Sequence, residues 1–376
     1  MYNVLLEEFC ETYQLKEVVD SFLIPQGITN RTYFVRTIEG KYVIKALNPN
    51  NVNTENKIKK IEISEYIAEI AHQAGISSIY ANRINGRIIN EFHGQYYIVF
   101  DFFNGEKIKG KYMSYRRCLK LGHLLAELHC VNFENILSNF DYKVIKYDYG
   151  KKLKSIVNWN YYLEKISKKK QTPKWFVYLE ERIGDLYYMF EGSFSVFNNF
   201  KPQDKLISHG DIFSQNILWC ENIPYIIDWE TSGVIDATYD CLHTAIRIAT
   251  ESTEDFEKII NMAKVYAFLK GYSAVRKIEV KRLEIALYMI WYKRLDLLRS
   301  ALKRYIKPKD KLDKKRASRQ VKYSLTIVKS YKEFQYCLED IKDYIIKQQP
   351  VHHLMRYKLI NFFLITNNEK KKDRML

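Results

Sequence analysis

The chain has 376 residues, of which 47% are hydrophobic and 28% are charged, a balance typical of a globular protein rather than a disordered one. This length is enough for two domains or lobes. The formal net charge is +16, and residues 264–322 hold 19 Lys and Arg against 5 Asp and Glu. That basic segment predicts either a surface for an anionic partner or solvated helix faces, which the helical spacing of its apolar residues favours.

The N-terminus has neither a basic stretch nor a long apolar core, which argues against a signal peptide. No apolar run approaches the roughly 20 residues of a membrane-spanning helix, so we expect no membrane span. The six cysteines form no CxxC pair, and a zinc site or thioredoxin-like motif therefore has no support. Isolated cysteines in a chain of this length favour a cytoplasmic protein with reduced thiols.

The first hundred residues predict a small antiparallel sheet with one helix. Four segments rich in β-branched and aromatic residues predict strands: 32–37, 42–47, 87–91 and 96–100. A helix is expected over 56–74, between the second and third of these strands, with Gly75 as its C-cap. Asn104-Gly105 then marks a break, so we predict an N-terminal lobe over 1–103.

The remaining residues, 104–376, predict a larger and mostly helical lobe. Apolar residues recur at helical spacing in several segments, and helices are expected over 118–129, 151–174, 175–190 and, as a stack, 236–346. Residues 206–230 combine a loop with short strands, and the lysine-rich ending 369–374 predicts a frayed tail. The expected fold class is therefore α+β with two lobes.

The most informative part of the sequence is the polar set between residues 209 and 230. Asn216 follows Asp211 by five residues, and Asp228 follows Asn216 by twelve, directly after the apolar pair Ile226-Ile227. Phosphoryl transfer from a nucleotide needs a carboxylate for the acceptor's hydroxyl proton and oxygen ligands for magnesium. We therefore predict Asp211 as the catalytic base and Asn216 and Asp228 as magnesium ligands.

Three neighbours of this set have predicted supporting roles. His209 is expected to bond backbone near the metal loop rather than to act as an acid or base. Glu230 has two interpretations, a ligand of a second metal or a surface or capping residue, and the second is favoured. Asp240, just before a helix that begins near Cys241, is expected to be a buried carboxylate that holds the catalytic loop.

A small polar turn near the N-terminus is a candidate for the phosphates of a nucleotide. The turn 26–30 follows Leu23-Ile24 and precedes a strand, and its backbone N–H groups can bind phosphate. Gly27, Thr29 and Asn30 are the candidate residues, although an ordinary hairpin turn has the same composition. The P-loop pattern G-x-x-x-x-G-K-[ST] is absent, so the turn is not a P-loop.

Lys45 is the candidate ligand of the α- and β-phosphates. Its neighbours Ile44 and Ala46 point to the opposite face of the strand, which is typical either of such a ligand or of a lysine on a solvated face. Three glutamates follow at helical spacing, on one face of the next helix: Glu62, Glu65 and Glu69. Glu65, with Glu62 as the alternative, is predicted to pair with Lys45 and orient it.

These segments resemble the aminoglycoside phosphotransferase and choline kinase family, the small-molecule branch of the protein-kinase-like fold. Ser208-His209-Gly210-Asp211 with Asn216 matches the family's H-G-D-x-x-x-x-N loop, and Ile227-Asp228-Trp229-Glu230 matches its I-D-[WF]-[DE] segment. The turn 26–30, Lys45 and the helix at 122–129 also occupy family positions. Cys241 departs from the family's usual Asp-Leu pair.

The resemblance covers roughly residues 20–250 and implies a kinase-like fold, ATP or GTP as phosphoryl donor, Mg²⁺, and a small-molecule hydroxyl as acceptor. Members of this family include antibiotic, choline, homoserine and methylthioribose kinases and kinase-like spore-coat proteins. The alternative is a catalytically inactive kinase-like protein that binds an anionic partner through the basic segment 264–322. A nucleic-acid-binding protein is disfavoured, because no recognition motif accompanies the basic and aromatic content.

The acceptor is expected to be an aminoglycoside-like antibiotic, an amino alcohol, or a neutral or anionic metabolite or sugar. A polycationic acceptor needs carboxylates in its pocket, and the basic C-terminal half disfavours one. Four acidic side chains are candidates for such a pocket, with solvated helix residues paired to lysines as the other interpretation: Glu180, Glu181, Asp185 and Glu191.

Overall fold

The computed structural model describes residues 2–25, 30–139, 145–153, 155–252 and 258–347. The N-terminal part begins with helix α1 (Tyr2–Thr12). It continues into an antiparallel sheet of five strands in the order β1-β2-β3-β5-β4, with helix α2 (Glu55–Gln73) inserted after the third strand. The strands are β1 (Val18–Ile24), β2 (Arg31–Thr37), β3 (Lys41–Ala46), β4 (Asn90–Phe92) and β5 (Gln95–Asp101).

The two faces of this sheet bury different sets of side chains. On one face, Phe9 of α1 packs in a cluster with Ile44 and Val99, and on the other, Ile61 of α2 packs with Ile98. Strand β3 pairs with β5 so that Lys45 lies opposite Ile98. The alternation of a strand therefore turns Lys45 away from the face that buries Ile44.

Ten helices and three two-stranded ribbons make up the described remainder of the chain. The helices are α3 (Tyr115–Leu128), α4 (Glu134–Asn139), α5 (Trp159–Ser167), α6 (Phe176–Glu181), α7 (Ile183–Asn199), α8 (Ala237–Ala249), α9 (Met262–Ser273), α10 (Leu283–Ile306), α11 (Lys311–Glu333) and α12 (Leu338–Lys347). The antiparallel ribbons pair β6 (Lys205–Ser208) with β9 (Gly233–Asp236), β7 (Ile217–Cys220) with β8 (Ile223–Ile226), and β10 (Thr250–Ser252) with β11 (Lys258–Ile260).

The helices pack around one large apolar core, which also takes in Ile67 of α2. Helices α3 and α9 cross closely because each has a glycine at the crossing. A Cβ on Gly122 would lie 1.9 Å from the carbonyl oxygen of Phe268, and one on Gly271 would lie 1.9 Å from that of Leu119. These two glycines therefore fix the distance between the helices.

Backbone hydrogen bonds join the sheet-bearing part to the helical part. The segment after α2 bonds to β8, since the N–H of Ile79 donates to the carbonyl of Ile226 (3.0 Å). Glu106, after β5, exchanges two backbone bonds with Trp219 of β7 (2.9 and 2.8 Å). The ribbon β7–β8 is thereby held against the sheet, which brings its open end close to Lys45.

Most predicted elements are present, with shifted ends. Strands overlap all four predicted segments, and α2 matches 56–74, with Gly75 in the left-handed conformation just after its cap (φ 90°). Helix α1 was not predicted, and of β1 only the end at Leu23-Ile24, before the turn 26–30, was expected as a strand. The proposed lobe boundary near residue 104 stays a prediction, and the tail at 369–374 lies outside the described residues.

Three helix predictions need correction. The expected helix over 151–174 is formed only as α5, since Asn158 caps its start (Oδ1 to the N–H of Tyr161, 3.1 Å) and a run of lysines followed by Pro173 ends it. Residues 175–190 form two helices that break at Arg182. The ribbon β10–β11 interrupts the expected stack over 236–346. Within the described ranges, no helix is both long and apolar enough to cross a membrane.

Candidate active site

The ribbon β7–β8 brings Asn216 and Asp228 together. Its turn consists of Glu221 and Asn222, both with positive φ (49° and 65°), the geometry of a tight two-residue hairpin turn. At the open end, the N–H of Ile227 donates to the carbonyl of Asn216 (3.0 Å). The spacing of twelve residues between the amide and the carboxylate is thus the length of one hairpin.

His209 is fully buried, and the recorded hydrogen bonds of its ring are both to backbone groups. Its Nδ1 accepts from the N–H of Asp211 (3.2 Å), so its Nε2 carries the proton and donates to the carbonyl of Ile227 (3.1 Å). Burial lowers the pKa of His209, which keeps the ring neutral. It therefore joins the catalytic loop to the metal segment, as expected of a structural residue.

Gly210, between His209 and Asp211, has a backbone that only glycine tolerates well. Its φ is 71°, and a Cβ there would lie 2.6 Å from the ring of Tyr147. The close approach of this ring fixes the path of the loop that carries Asp211.

The carboxylate of Asp211 is held from two sides. The side-chain N–H₂ of Asn216 donates to the Asp211 carbonyl (2.9 Å) and to Oδ2 (3.2 Å). The guanidinium of Arg247, on α8, donates to Oδ1. Because the side-chain nitrogen of Asn216 is engaged with Asp211, the side-chain oxygen Oδ1 of Asn216 is the atom that remains for a cation.

Asp228 lies at the opposite wall of the site, in contact with Lys45. Its backbone is left-handed (φ 67°, ψ 62°), an uncommon conformation for a non-glycine residue that often marks functional positions. Lys45 Nζ donates to Asp228 Oδ1 (3.0 Å). Burial opposes ionisation of Asp228, but the charge and hydrogen bond of Lys45 outweigh it, and the pKa of Asp228 lies below its ordinary value.

Glu230 contacts two residues of the sheet-bearing part. Its Oε1 accepts from Lys45 Nζ (3.3 Å) and from the Asn30 side-chain nitrogen (2.6 Å). The Oδ1 of Asn30 accepts in turn from the N–H of Asn48 (2.9 Å). The expected surface or capping role of Glu230 is therefore wrong: it anchors Lys45 and Asn30. Gly27 and Thr29 of the same turn lie outside the described residues.

Glu65 lies near Lys45 but makes no ion pair with it. Its side chain is 2% exposed, its Oε2 has no hydrogen-bond partner, and burial raises its pKa to about 7 against the opposing charge of Lys45. The predicted direct pair is corrected, since Asp228 and Glu230 hold the Lys45 ammonium. Of the alternatives, Glu62 is exposed and Glu69 pairs with Arg83 (2.7 Å).

Asp240 supports the catalytic loop through His129. It is 1% exposed and accepts from His129 Nε2 (3.0 Å), and that nitrogen also lies 3.2 Å from Ser208 Oγ. Burial opposes ionisation of Asp240, but its bond to His129 outweighs this and lowers its pKa. His129, the C-cap of α3, thereby links Asp240 in the first turn of α8 to Ser208, the residue before His209.

Two arginines that the sequence analysis missed lie on the Asp211 side of the site. Arg247, besides its contact with Asp211, stacks over the ring of Phe213 (3.9 Å to the centroid). Arg294, on α10, has NH2 at 3.3 Å from His243 Nε2. A signal for Arg247 was present: it follows Asp240 by seven residues, which places both on one face of a helix.

The four acidic residues considered for an acceptor pocket are instead solvated helix residues, one of them paired with a lysine. Glu180, Glu181 and Glu191 are exposed, and Asp185 pairs with Lys332 (2.6 Å).

Part of the basic segment 264–322 is neutralised by acids in the described part of the chain. Six of its cations pair with acids (Lys264–Glu251, Arg276–Asp204, Arg282–Asp236, Lys293–Asp148, Arg299–Asp296 and Arg304–Asp313).

The donor set fits a magnesium ion bound with nucleotide phosphates. Across the described ranges, no group of three or more His, Cys, Asp and Glu is arranged to hold a metal by itself. One amide oxygen and one carboxylate, beside a lysine, are hard ligands that leave positions for phosphate oxygens and water, which is how Mg²⁺ is bound in phosphoryl-transfer sites. Asn216, Asp228 and Lys45 are therefore suited to such an ion.

Comparisons with known proteins agree with this geometry. The model of the phosphotransferase enzyme family matches residues 23–277. The homoserine kinase of Methylobacillus glycogenes is 24% identical over 308 residues, which are 77% of this chain and 84% of that protein. The spectinomycin phosphotransferase in complex with ADP and spectinomycin superposes with a TM-score of 0.62 at 13% identity, over 87% of this chain and 97% of that one. The choline kinase of Cryptosporidium parvum Iowa II gives 0.52 at 14% identity, over 92% and 99%.

The chain belongs to the phosphotransferase enzyme family, since the family model covers more than half of it. It is a small-molecule kinase with the two-part protein-kinase-like fold that these solved structures share. The resemblance seen in the catalytic segments and the expected fold class are confirmed.

Proposed function

We propose that this kinase moves the γ-phosphoryl group of ATP or GTP to a hydroxyl of a small molecule, with Mg²⁺ as the accompanying ion. The observation that carries the proposal is the convergence of Asp211, Asn216, Asp228 and Lys45 on one site. Nucleotides in solved relatives, such as the ADP of the spectinomycin phosphotransferase, support the choice of donor.

Each polar group has a definite task in this reaction. Asp211 accepts the proton of the acceptor hydroxyl as its oxygen bonds to the γ-phosphorus, and the bond from that phosphorus to the β,γ-bridging oxygen breaks. Lys45 binds phosphate oxygens of the donor. Asn216 and Asp228 would hold Mg²⁺, which supplies positive charge to the phosphates when it is bound. Asn216 also fixes the Asp211 carboxylate through its nitrogen.

The left-handed backbone of Asp228 and the ion pairs of Lys45 prepare the site before substrates bind. The Lys45 ammonium is 3.0 Å from Asp228 and 3.3 Å from Glu230, and the same two carboxylates raise its pKa despite burial. Lys45 therefore stays charged at neutral pH. Glu65 is buried nearby, and its Oε2 has no hydrogen-bond partner.

The acceptor is proposed to be of amino-alcohol or hydroxy-amino-acid size. Homoserine, named for a relative that matches 77% of this chain, is the first candidate, and an antibiotic or sugar-type acceptor is the second. A polycationic antibiotic is disfavoured because Arg247 and Arg294 stand on the Asp211 side of the site. The cytoplasm is the proposed location, because all six cysteines are unpaired and thiols stay reduced there. The cytoplasm also contains the ATP that the reaction needs.

The experiment is a thermal-shift comparison with Mg-ATP and Mg-GTP. Wild type should be stabilised by about 2.7 kcal/mol when the nucleotide is at 100 times its Kd, and Asp228→Ala should lose this shift. Asp343→Ala, which removes an exposed carboxylate on α12, is the matched control and should keep it.

Equal shifts in wild type and Asp228→Ala would refute the role of Asp228. No shift with either nucleotide would instead support the catalytically inactive alternative. In that case a partner of the exposed cations on α11, at 311–322 within the basic segment, becomes the next question.

A further inference from the structure

Arg247 and Arg294 come from two different helices, and Arg294 contacts His243, one turn before Arg247 on α8. Arg247 comes from α8 and donates to Asp211 Oδ1. Arg294 comes from α10, and its guanidinium lies 5.7 Å from the centre of the Tyr331 ring. The Nε of Arg294 is buried and has no hydrogen-bond partner. The residue as a whole is partly exposed, so a guanidinium with an unused donor here is able to bind a group that the chain itself does not supply.

The surroundings of Arg294 contain little negative charge. Within the described part of the chain, no carboxylate lies within 4.0 Å of it. Its neighbour His243 is neutral, because burial and the charge of Arg294 lower the pKa of that ring to about 3. The other groups around it are phenols, including Tyr331, Tyr323 and Tyr239, and the cations of Arg247 and Lys293. Arg294 is partly exposed and has no carboxylate partner in the described part of the chain, so its guanidinium is suited to binding an anion.

Arg247 has an anionic partner, but that partner is the predicted base. Asp211 Oδ1 is taken by Arg247, while Oδ2 accepts from Asn216. The proximity of Arg294, after burial, lowers the pKa of Arg247 to about 10, so the two like charges are close enough to repel. An added carboxylate between them would relieve this repulsion and give Arg247 a second partner besides Asp211.

We propose that Arg247 and Arg294 form an anion site beside Asp211, and that the acceptor is a small hydroxy acid whose carboxylate binds there while its hydroxyl faces Asp211. Arginine suits this task because its planar group binds a carboxylate through two hydrogen bonds. The inference rests on the proposed function and deepens it by naming the acceptor's second group. The same oxyanion chemistry is present in the γ-phosphate of the nucleotide, and the experiment separates the two sources.

The experiment compares three acceptors that share a primary hydroxyl, with the full chain and Mg-ATP. L-homoserine has a carboxylate and an amine, 4-hydroxybutyrate has the carboxylate alone, and 3-amino-1-propanol has the amine alone. Wild type should phosphorylate both acids with kcat/KM on the order of 100-fold above that for the amino alcohol, the size expected of a buried charge pair.

Variants of Arg294 test the residue itself. Arg294→Gln should lower kcat/KM for the two acids by on the order of 100-fold, lower kcat/KM for 3-amino-1-propanol far less, and leave the KM for ATP near that of wild type. Arg294→Lys keeps the positive charge but not the planar guanidinium that makes two hydrogen bonds. It should therefore recover part of the loss in kcat/KM for the acids. Lys303→Gln makes the same change of cation to amide at an exposed position of α10 and should behave as wild type.

Several outcomes would overturn the inference. One is a wild-type protein with the same kcat/KM for 3-amino-1-propanol as for the two acids. This comparison does not depend on the folding of any variant. Another is an Arg294→Gln protein whose KM for ATP rises while its preference for acids is kept, which assigns the arginines to the γ-phosphate. Turnover of none of the three by a protein that is stabilised by Mg-ATP also overturns it. Absence of that stabilisation would instead count against the proposed function.

Discussion

Replacement of the buried carboxyl group of Glu65 should change how stability depends on pH. Burial raises the pKa of Glu65 from 4.5 to about 7, so between these values the folded protein holds a proton that the unfolded chain has lost. The free energy of unfolding therefore falls as pH rises through this window. A difference of roughly 2.5 in pKa corresponds to about 3 kcal/mol, of which roughly 2.5 kcal/mol falls between pH 5 and pH 8.

Glu65→Gln removes this titration and keeps the size of the side chain. Relative to wild type, the variant should gain roughly 2.5 kcal/mol in free energy of unfolding between pH 5 and pH 8. Urea unfolding followed by circular dichroism at pH 5, 6, 7 and 8, without nucleotide, measures the difference. Glu62→Gln, one turn earlier on α2 and exposed, is the matched control and should stay within about 0.5 kcal/mol of wild type throughout.

A constant difference between wild type and Glu65→Gln across the four pH values would refute the reasoning, because Glu65 would then titrate alike in both states. An equal effect of Glu62→Gln, at an exposed position, would show that the pH dependence does not arise from the burial of Glu65. The pair of variants thus separates burial from a general effect of removing a charge on α2.

Three further predictions concern the catalytic loop, the crossing of α3 and α9, and the N-cap of α8. Asp211→Ala should abolish phosphoryl transfer while keeping the thermal shift with Mg-ATP, and retained full turnover would exclude Asp211 as the base. Gly122→Ala should cost on the order of 3 kcal/mol in urea unfolding, because a Cβ would lie 1.9 Å from the Phe268 carbonyl; Gly184→Ala, with nothing within 4 Å, is the control and should lose nothing. Asp236→Ala removes the partner of Arg282 (2.9 Å) and the cap of α8, so unfolding should become easier by about 3–5 kcal/mol, and a loss under 1 kcal/mol would contradict it.

The sequence by itself determined the elements whose causes are local. Asp211, Asn216 and Asp228 could be predicted as a group because one tight hairpin, closed by Glu221-Asn222, joins the last two. The alternation of β3 was enough to turn Lys45 away from Ile44, since side chains alternate along any strand. The family resemblance followed from the same short segments, whose spacing is fixed by one loop and one ribbon.

Helix ends were harder to predict where apolar spacing continued past a local stop. The segment 151–174 has enough apolar residues for a helix, but the Asn158 cap and Pro173 confine it to α5. Only the end of strand β1, at Leu23-Ile24, was expected, because the pattern of the strand is weak and its place in the sheet depends on pairing with β2.

Tertiary structure alone decided which distant charges meet. Glu230 was expected at the surface, yet the docking of the sheet against β7–β8 sets it on Lys45 and Asn30. Arg247 and Arg294 are 47 residues apart and belong to different helices, so no local pattern links them to each other or to Asp211. Their meeting depends on how α8 and α10 pack, because side chains from separate helices share a site only when the core between them fixes their orientation.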